Sequence, residues 1–224
     1  MNKNLKIVVS ALLLIIPGIM VLQCSQSTIQ RQYYLLDYPG VVKDSTLVPE
    51  SPYPVKVMVQ TMKLPRTFDR TNIVVRYSAH QIDYYRYRYW AIKPQIIISD
   101  LIARQLQSYR LFNKCEREFL DENPDYEIVG YINAIEKFHN DEYIAAHLSM
   151  TIYLRKSDDF TLVVKHQFDR EERLYQDDMA YFSKKLSDIL REEIQKFTRK
   201  NIEYFNPIYY PGETDIENDK NLDQ

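Results

Sequence analysis

The chain predicts a single α+β layered domain of the broad α/β class, with a mixed, largely antiparallel sheet covered by two main helices. Apolar and polar residues alternate in several short runs, as in half-buried strands. Two stretches change to a three- and four-residue period, as in amphipathic helices. The runs come in the order strands, helix, strand meander, helix, which lets both helices cover one sheet. With 45% hydrophobic and 27% charged residues in 224, there is material for one core of ordinary size.

A basic start, Lys3 and Lys6, leads into the apolar block Ile7 to Leu22, and Cys24 follows. The block is shorter than the ~20 apolar residues a spanning helix needs. It also contains Pro17 and Gly18, which suit the cleavage end of an export leader better than a membrane helix. The reading is a leader, 1–23, that ends at a lipid-attachment cysteine, Cys24; an uncleaved N-terminal anchor is the alternative. The residue before the cysteine is Gln23, where such signals usually carry a small one. The tether 24–31 is short, since Ser25 to Arg31 span about 25 Å at most.

Gln32 to Leu36 is the first strand-like run, and a loop rich in Pro, Gly and Ser fills Pro39 to Pro54. Val55 to Gln60 alternates as a half-buried strand, and Pro65 ends its pairing. Asn72 to Tyr77 and Gln81 to Tyr87 form a strand pair joined by Ser78-Ala79-His80. After Pro94, which suits a first helical turn, Ile98, Leu101, Ile102, Leu106 and Tyr109 fall on one helical face. Asp125 to about Phe138, Tyr143 to Leu154 and Thr161 to Phe168 read as an antiparallel meander. A second helix starts at Asp177 or Asp178, with Phe182, Leu186, Ile189, Leu190, Ile194 and Phe197 as its stripe. Beyond Asn206 the chain turns to Pro, Gly and acids, so the domain is expected over 32–205 and a disordered acidic tail over 206–224.

The formal charge of −2 falls to −4 once Lys3 and Lys6 leave with the leader, which argues against nucleic acid as a partner. If Cys24 is acylated, Cys115 has no intramolecular partner and reads as a small buried residue. Gly18, Gly40, Gly130 and Gly212 are too scattered for a phosphate-cradling loop. The histidines are His80, His139, His147 and His166. If the meander strands share an apolar face, His166 lies on it and His147 on the opposite one, so they cannot share a site. The cluster Glu116, Glu118, Asp121 and Glu122 lacks the spacing and glycine of a calcium loop and reads as a solvated face. No catalytic residue, metal site or cofactor is expected.

What remains is Ile82 to Ala91, Ile-Asp-Tyr-Tyr-Arg-Tyr-Arg-Tyr-Trp-Ala, where aromatic and basic residues interleave. Tyr84, Arg86, Tyr87, Arg88 and Trp90 have the composition of a partner or self-association surface. The segment reads equally as an edge strand whose tyrosines pack on the next element.

These residues, with others, resemble the ABC-type transport auxiliary lipoproteins, which include the paraquat-inducible protein C-like lipoproteins. The similarity rests on Tyr33-Tyr34-Leu35-Leu36, on Leu64-Pro65 followed by Asp69-Arg70 and Ile73-Val74-Val75-Arg76, and on Tyr84 and Trp90-Ala91 before Pro94. Asp125-Tyr126 with Gly130 and Ile132 resembles the family's second half, so the likeness runs from about Gln32 to about Lys200. Phe68 stands where a leucine is usual, and Lys93 replaces one of two prolines.

The resemblance implies a non-enzymatic, lipid-anchored periplasmic accessory of an ABC-type or MCE-domain (mammalian cell entry) lipid-transport system linking the inner and outer membranes. Its expected partners are an MCE-domain protein, an ABC permease and ATPase, the membrane, and further copies of itself in a homo-oligomer. Ser25 after the cysteine implies the outer membrane, on its periplasmic face, as the address; the inner membrane is the alternative. A lipoprotein scaffold or activator of envelope-synthesis machinery is the competing function.

Overall fold

The computed structural model describes residues 30–38 and 45–211. Met1–Arg31 and Gln32–Gln224 form separate compact units, and every element below belongs to the second. The predicted leader 1–23, Cys24 and residues 212–224 of the predicted tail lie outside the described residues.

The strands are β1 (Gln32–Tyr34), β2 (Tyr53–Val59), β3 (Asn72–Ser78), β4 (Gln81–Trp90), β5 (Phe112–Glu116), β6 (Tyr126–His139), β7 (Ile144–Lys156) and β8 (Leu162–Leu174). Helix α1 spans Pro94–Ser108 and α2 spans Met179–Tyr209, and a 3-10 turn covers Ser45–Leu47. The eight strands make one mixed sheet with β6 as its spine. One edge of β6 pairs with β7 along its whole length, and β7 pairs with β8, both antiparallel. The other edge is divided: its first part pairs in parallel with β2 and its last part with β3. Between these strands Lys63 bridges to Tyr131, so one stretch of chain follows β6 twice and detours through Pro65 to Thr71. Beyond them lie β5, beside β2, and β4 then β1, beside β3.

A β-bulge between Ile132 and Ala134 decides which side chains of β6 face inward. Before it Ile128 and Ile132 stand opposite Leu154 and Met150; after it Ile135 and Lys137 stand opposite Leu148 and Ala146. The bulge reverses the parity, so Glu136 is turned to the outer face while Lys137 is turned toward the helices. At Gly130 an added Cβ would come within 2.4 Å of the Thr151 carbonyl oxygen and 2.8 Å of the Met62 sulfur, so close packing requires glycine there.

The inner face is covered by both helices. In α1, Ile98, Leu101, Ile102 and Leu106 are at most 1% exposed, and so is the whole predicted stripe of α2. Each such side chain contributes about 1.5–3 kcal/mol through burial. Asp178 caps α2 by accepting a hydrogen bond from the Tyr181 amide at 2.6 Å.

Two expectations are corrected. Phe112–Glu116 is a strand that alternation does not reveal, because Phe-Asn-Lys-Cys-Glu holds only two buried apolar residues and lies at a sheet edge. The tail was expected from residue 206, yet α2 continues to Tyr209 with Pro207 inside it. An aromatic cluster holds this last turn: Tyr53 stacks on Phe205 at 5.0 Å, lies 6.0 Å from Tyr209, and donates to Asn206 Oδ1 at 2.5 Å. No described helix is long and apolar enough to cross a membrane.

Candidate functional site

The interleaved aromatic and basic residues lie on β4, at an edge of the sheet. Among the described residues β1 pairs only with Arg88, Tyr89 and Trp90, so the outer edge of β4 from Gln81 to Tyr87 carries no strand. An open row of backbone donors and acceptors is a template for pairing unless it is blunted. Here a break in register between Tyr84 and Tyr89 kinks the strand and blunts it.

The predicted site residues divide according to side-chain direction. Trp90, expected at a partner surface, is 3% exposed and packs 6.0 Å from Phe182 of α2. The strand alternates through the sheet, and Trp90 falls on the covered side, so it belongs to the core. Tyr84 is half-buried beneath the Arg70 guanidinium, 3.7 Å from its ring centre. Arg88 lies 4.7 Å over the ring of Tyr85. Arg86 is exposed, and the half-buried Tyr87 has its ring 5.9 Å from the Arg86 guanidinium. Tyr33 of β1, 61% exposed, extends the patch by lying 5.7 Å from Tyr89. Tyr33 and Arg70 are distant in sequence from the interleaved run, so only pairing across strands assigns them to it.

The residues that carried the resemblance form a structural joint around the detour in the chain. Pro65 begins a turn whose carbonyl accepts from the Phe68 and Asp69 amides, and Phe68 fills the core at 4% exposure. Asp69 accepts from Lys93 at 2.8 Å and Gln95 at 3.0 Å, which fastens the loop to the start of α1. The hydrogen bonds from Lys93, then Gln95, hold its carboxyl below the ordinary carboxylate range. Lys93, the departure from the two prolines, thus gains a partner of its own. The Trp90 amide donates to the Thr71 carbonyl at 2.7 Å and the Ala91 amide to Tyr34 at 2.8 Å. Leu64 packs half-buried on the core, and Pro94 is buried in the first turn of α1. Arg76 donates to Glu136 at 2.6 Å.

Polar networks occupy both faces of the sheet. On the outer face Arg76, Glu136, His147 and Asp169 form a line across β3, β6, β7 and β8, with His147 3.2 Å from Glu136 and 2.7 Å from Asp169. Burial pulls His147 down, but its hydrogen bonds to Glu136 and Asp169 outweigh this and leave it more basic than usual. On the inner face His166 meets Glu193 of α2 at 2.8 Å. Burial dominates there and holds His166 below its ordinary value. Glu193 is pushed up by burial, but Lys196, His166 and Arg170 bind it and bring it below the usual range. The two histidines therefore stand on opposite faces, each engaged with carboxylates.

Also inside, the Lys137 ammonium is fully buried and pairs with Asp177, just before α2, and with the Tyr85 hydroxyl at 3.2 Å. The Cys115 thiol is buried, and that burial, with Glu116 nearby, pushes it up to about 12, which removes its nucleophilic character. No group of three or more His, Cys, Asp or Glu among the described residues is placed to hold a metal ion. An open groove of about 430 Å³ lies where β6 begins and β7 ends, lined in part by Tyr126, Lys156, Ser157 and Tyr209.

The sequence model of the ABC-type transport auxiliary lipoprotein component family matches residues 34–196, which takes in every strand but the start of β1 and more than half of α2. No curated protein matches the chain. Among solved structures, a Xanthomonas campestris protein of the DUF330 family is similar with a TM-score of 0.64 at 16% identity, over 77% of this chain and 97% of that one. An uncharacterized protein gives a TM-score of 0.59 at 15% identity, over 76% of this chain and 97% of its own. At such identities the likeness is one of fold.

Proposed function

The chain belongs to the family of ABC-type transport auxiliary lipoprotein components, and on that premise we propose that it is a non-enzymatic accessory of an envelope lipid-transport system. In this reading Cys24 carries the lipid, by acylation of the palmitate type, and holds the domain at the periplasmic face of the outer membrane. The domain docks an MCE-domain protein and its ABC permease and ATPase, in a homo-oligomeric arrangement. The observation that carries the reading is the span of the family match, which runs through both halves of the sheet and into α2 rather than over one local motif.

The partner surface is the outer edge of β4, with exposed Arg86, half-buried Tyr87 and, farther along, the exposed Tyr33 against Tyr89. A planar guanidinium among tyrosine rings provides rigid contact area together with bidentate hydrogen bonding.

Affinity purification of the native protein from solubilised membranes, with mass-spectrometric identification of what accompanies it, tests this function. Recovery of an MCE-domain protein and an ABC permease supports it. Recovery of envelope-synthesis enzymes alone would replace it with a scaffold or activator role. Arg86→Ala with Tyr87→Ala should abolish the capture while leaving the fold intact.

A further inference from the structure

The start of β1 and the length of chain before it restrict where the membrane can be. β1 runs parallel to β4, with Gln32 beside Arg88. Traced backward, the chain leaves Gln32 toward the β3–β4 hairpin, whose tip is Ala79-His80. Cys24 precedes Gln32 by eight residues, and His80 precedes Arg88 by the same eight. At about 3.3 Å per residue, both spans come to roughly 26 Å. A fully extended tether brings Cys24 to the level of the hairpin tip and no farther.

Three connections share that end of the sheet. Arg76 of β3 pairs with Phe138 near the end of β6, so the β3–β4 tip lies beside the β6–β7 turn. Ile144, which opens β7, pairs with Leu174, which closes β8, so the link to α2 is there as well. This end displays Tyr77, 36% exposed, and Tyr175, 87% exposed. Tyrosine, with an apolar ring and a polar tip, is enriched where membrane meets water. Asp141, Glu142, Glu171, Glu172, Asp177 and Asp178 stand here against Arg173 and the buried Lys137, an acidic excess that disfavours anionic lipid.

We infer that this end of the sheet, with the β3–β4 tip, Tyr77 and Tyr175, rests in the zwitterionic headgroup layer of the membrane that holds Cys24. The inference depends on the acylation of Cys24 proposed above. It makes the domain a membrane-seated body and directs the opposite end, with Phe160 at the β7–β8 hairpin, away from that membrane.

The test uses the full-length protein purified from membranes and reconstituted in phosphatidylcholine vesicles that contain acyl-chain-brominated lipid, which quenches tryptophan on contact. Tyr77→Trp, Tyr175→Trp and Phe160→Trp are compared, with buried Trp90 as the constant background. Emission at positions 77 and 175 should be quenched and shifted to the blue, and emission at 160 should not change. Insertion of about ten Gly and Ser residues after Arg31, which lengthens the reach of the tether, should relieve the quenching. Unquenched emission at 77 and 175 in protein whose mass shows acylated Cys24 overturns the seating alone. Unmodified Cys24 overturns the acylation, and the seating with it. A rise in quenching on adding phosphatidylglycerol overturns the zwitterionic assignment.

Discussion

Replacing Trp90 separates an interface role from a core role. It is the single tryptophan, sits at the end of the aromatic and basic run, and is 3% exposed against Phe182. Trp90→Ala removes the indole and leaves a cavity between β4 and α2, which in a packed core costs about 3–5 kcal/mol. A domain of this size has about 5–15 kcal/mol of stability in all, so the variant should retain the fold with a much reduced margin. At a tenfold change per 1.4 kcal/mol, the unfolding equilibrium shifts by roughly 150- to 4,000-fold. The melting temperature should fall by about 6–20 °C, at about 2–4 °C per kcal/mol for a chain of this length. Urea denaturation followed by far-ultraviolet circular dichroism measures the loss, and the blue-shifted emission of native Trp90 reports its burial independently. By contrast Arg86→Ala, at an exposed position of the same strand, should stay within about 0.5 kcal/mol of the native protein. A Trp90→Ala variant destabilised by less than about 1 kcal/mol would refute the packing argument.

Other perturbations address the sheet and its buried charges. Gly130→Ala places a Cβ 2.4 Å from the Thr151 carbonyl at the β6–β7 pairing, and overpacking there should cost about 1–3 kcal/mol by urea denaturation. Asp177→Ala strands the buried Lys137 ammonium and should cost about 2–3 kcal/mol, below the range for a fully buried pair because Asp177 is half exposed. Adding Lys137→Met should restore most of that loss, and a thermal melt of the double variant checks it. The two histidines engaged with carboxylates, on opposite faces of the sheet, should give opposite pH dependence. His147 is more basic in the fold, so its stabilisation is complete below its unfolded value near 6.5 and is lost as pH rises through the higher folded value. His147→Gln should therefore be more destabilising at acid pH than at pH 8. His166 is less basic in the fold, so it costs stability as pH falls below about 6.5, and His166→Gln should lessen the acid sensitivity of the native protein.

Much of the architecture was legible in the sequence because it rests on local periodicity. The β6–β8 meander, the β3–β4 hairpin and both helices follow from alternation or a 3.6-residue stripe, which are properties of neighbouring residues. The opposite faces of His147 and His166 followed from the same rule. β5 was not legible because an edge strand needs few apolar residues, and the last turn of α2 because its support comes from Tyr53, distant in sequence. Within the candidate site, Arg86 is exposed and Tyr87 half-buried, whereas Trp90 is packed into the core. Interleaved aromatic and basic residues cannot show which side of a strand is covered.

The sequence by itself determined the layered class, the two helical stripes and the family resemblance. Local spacing and residue chemistry are enough for each. The tertiary structure alone decided that β6 shares one edge between β2 and β3, that a bulge sends Lys137 inward and Glu136 outward, and that Arg70 covers Tyr84. It also set the start of β1 eight residues from the hairpin tip, which gives the tether length its meaning. Such pairings join residues far apart along the chain, and packing against the whole fold selects their register.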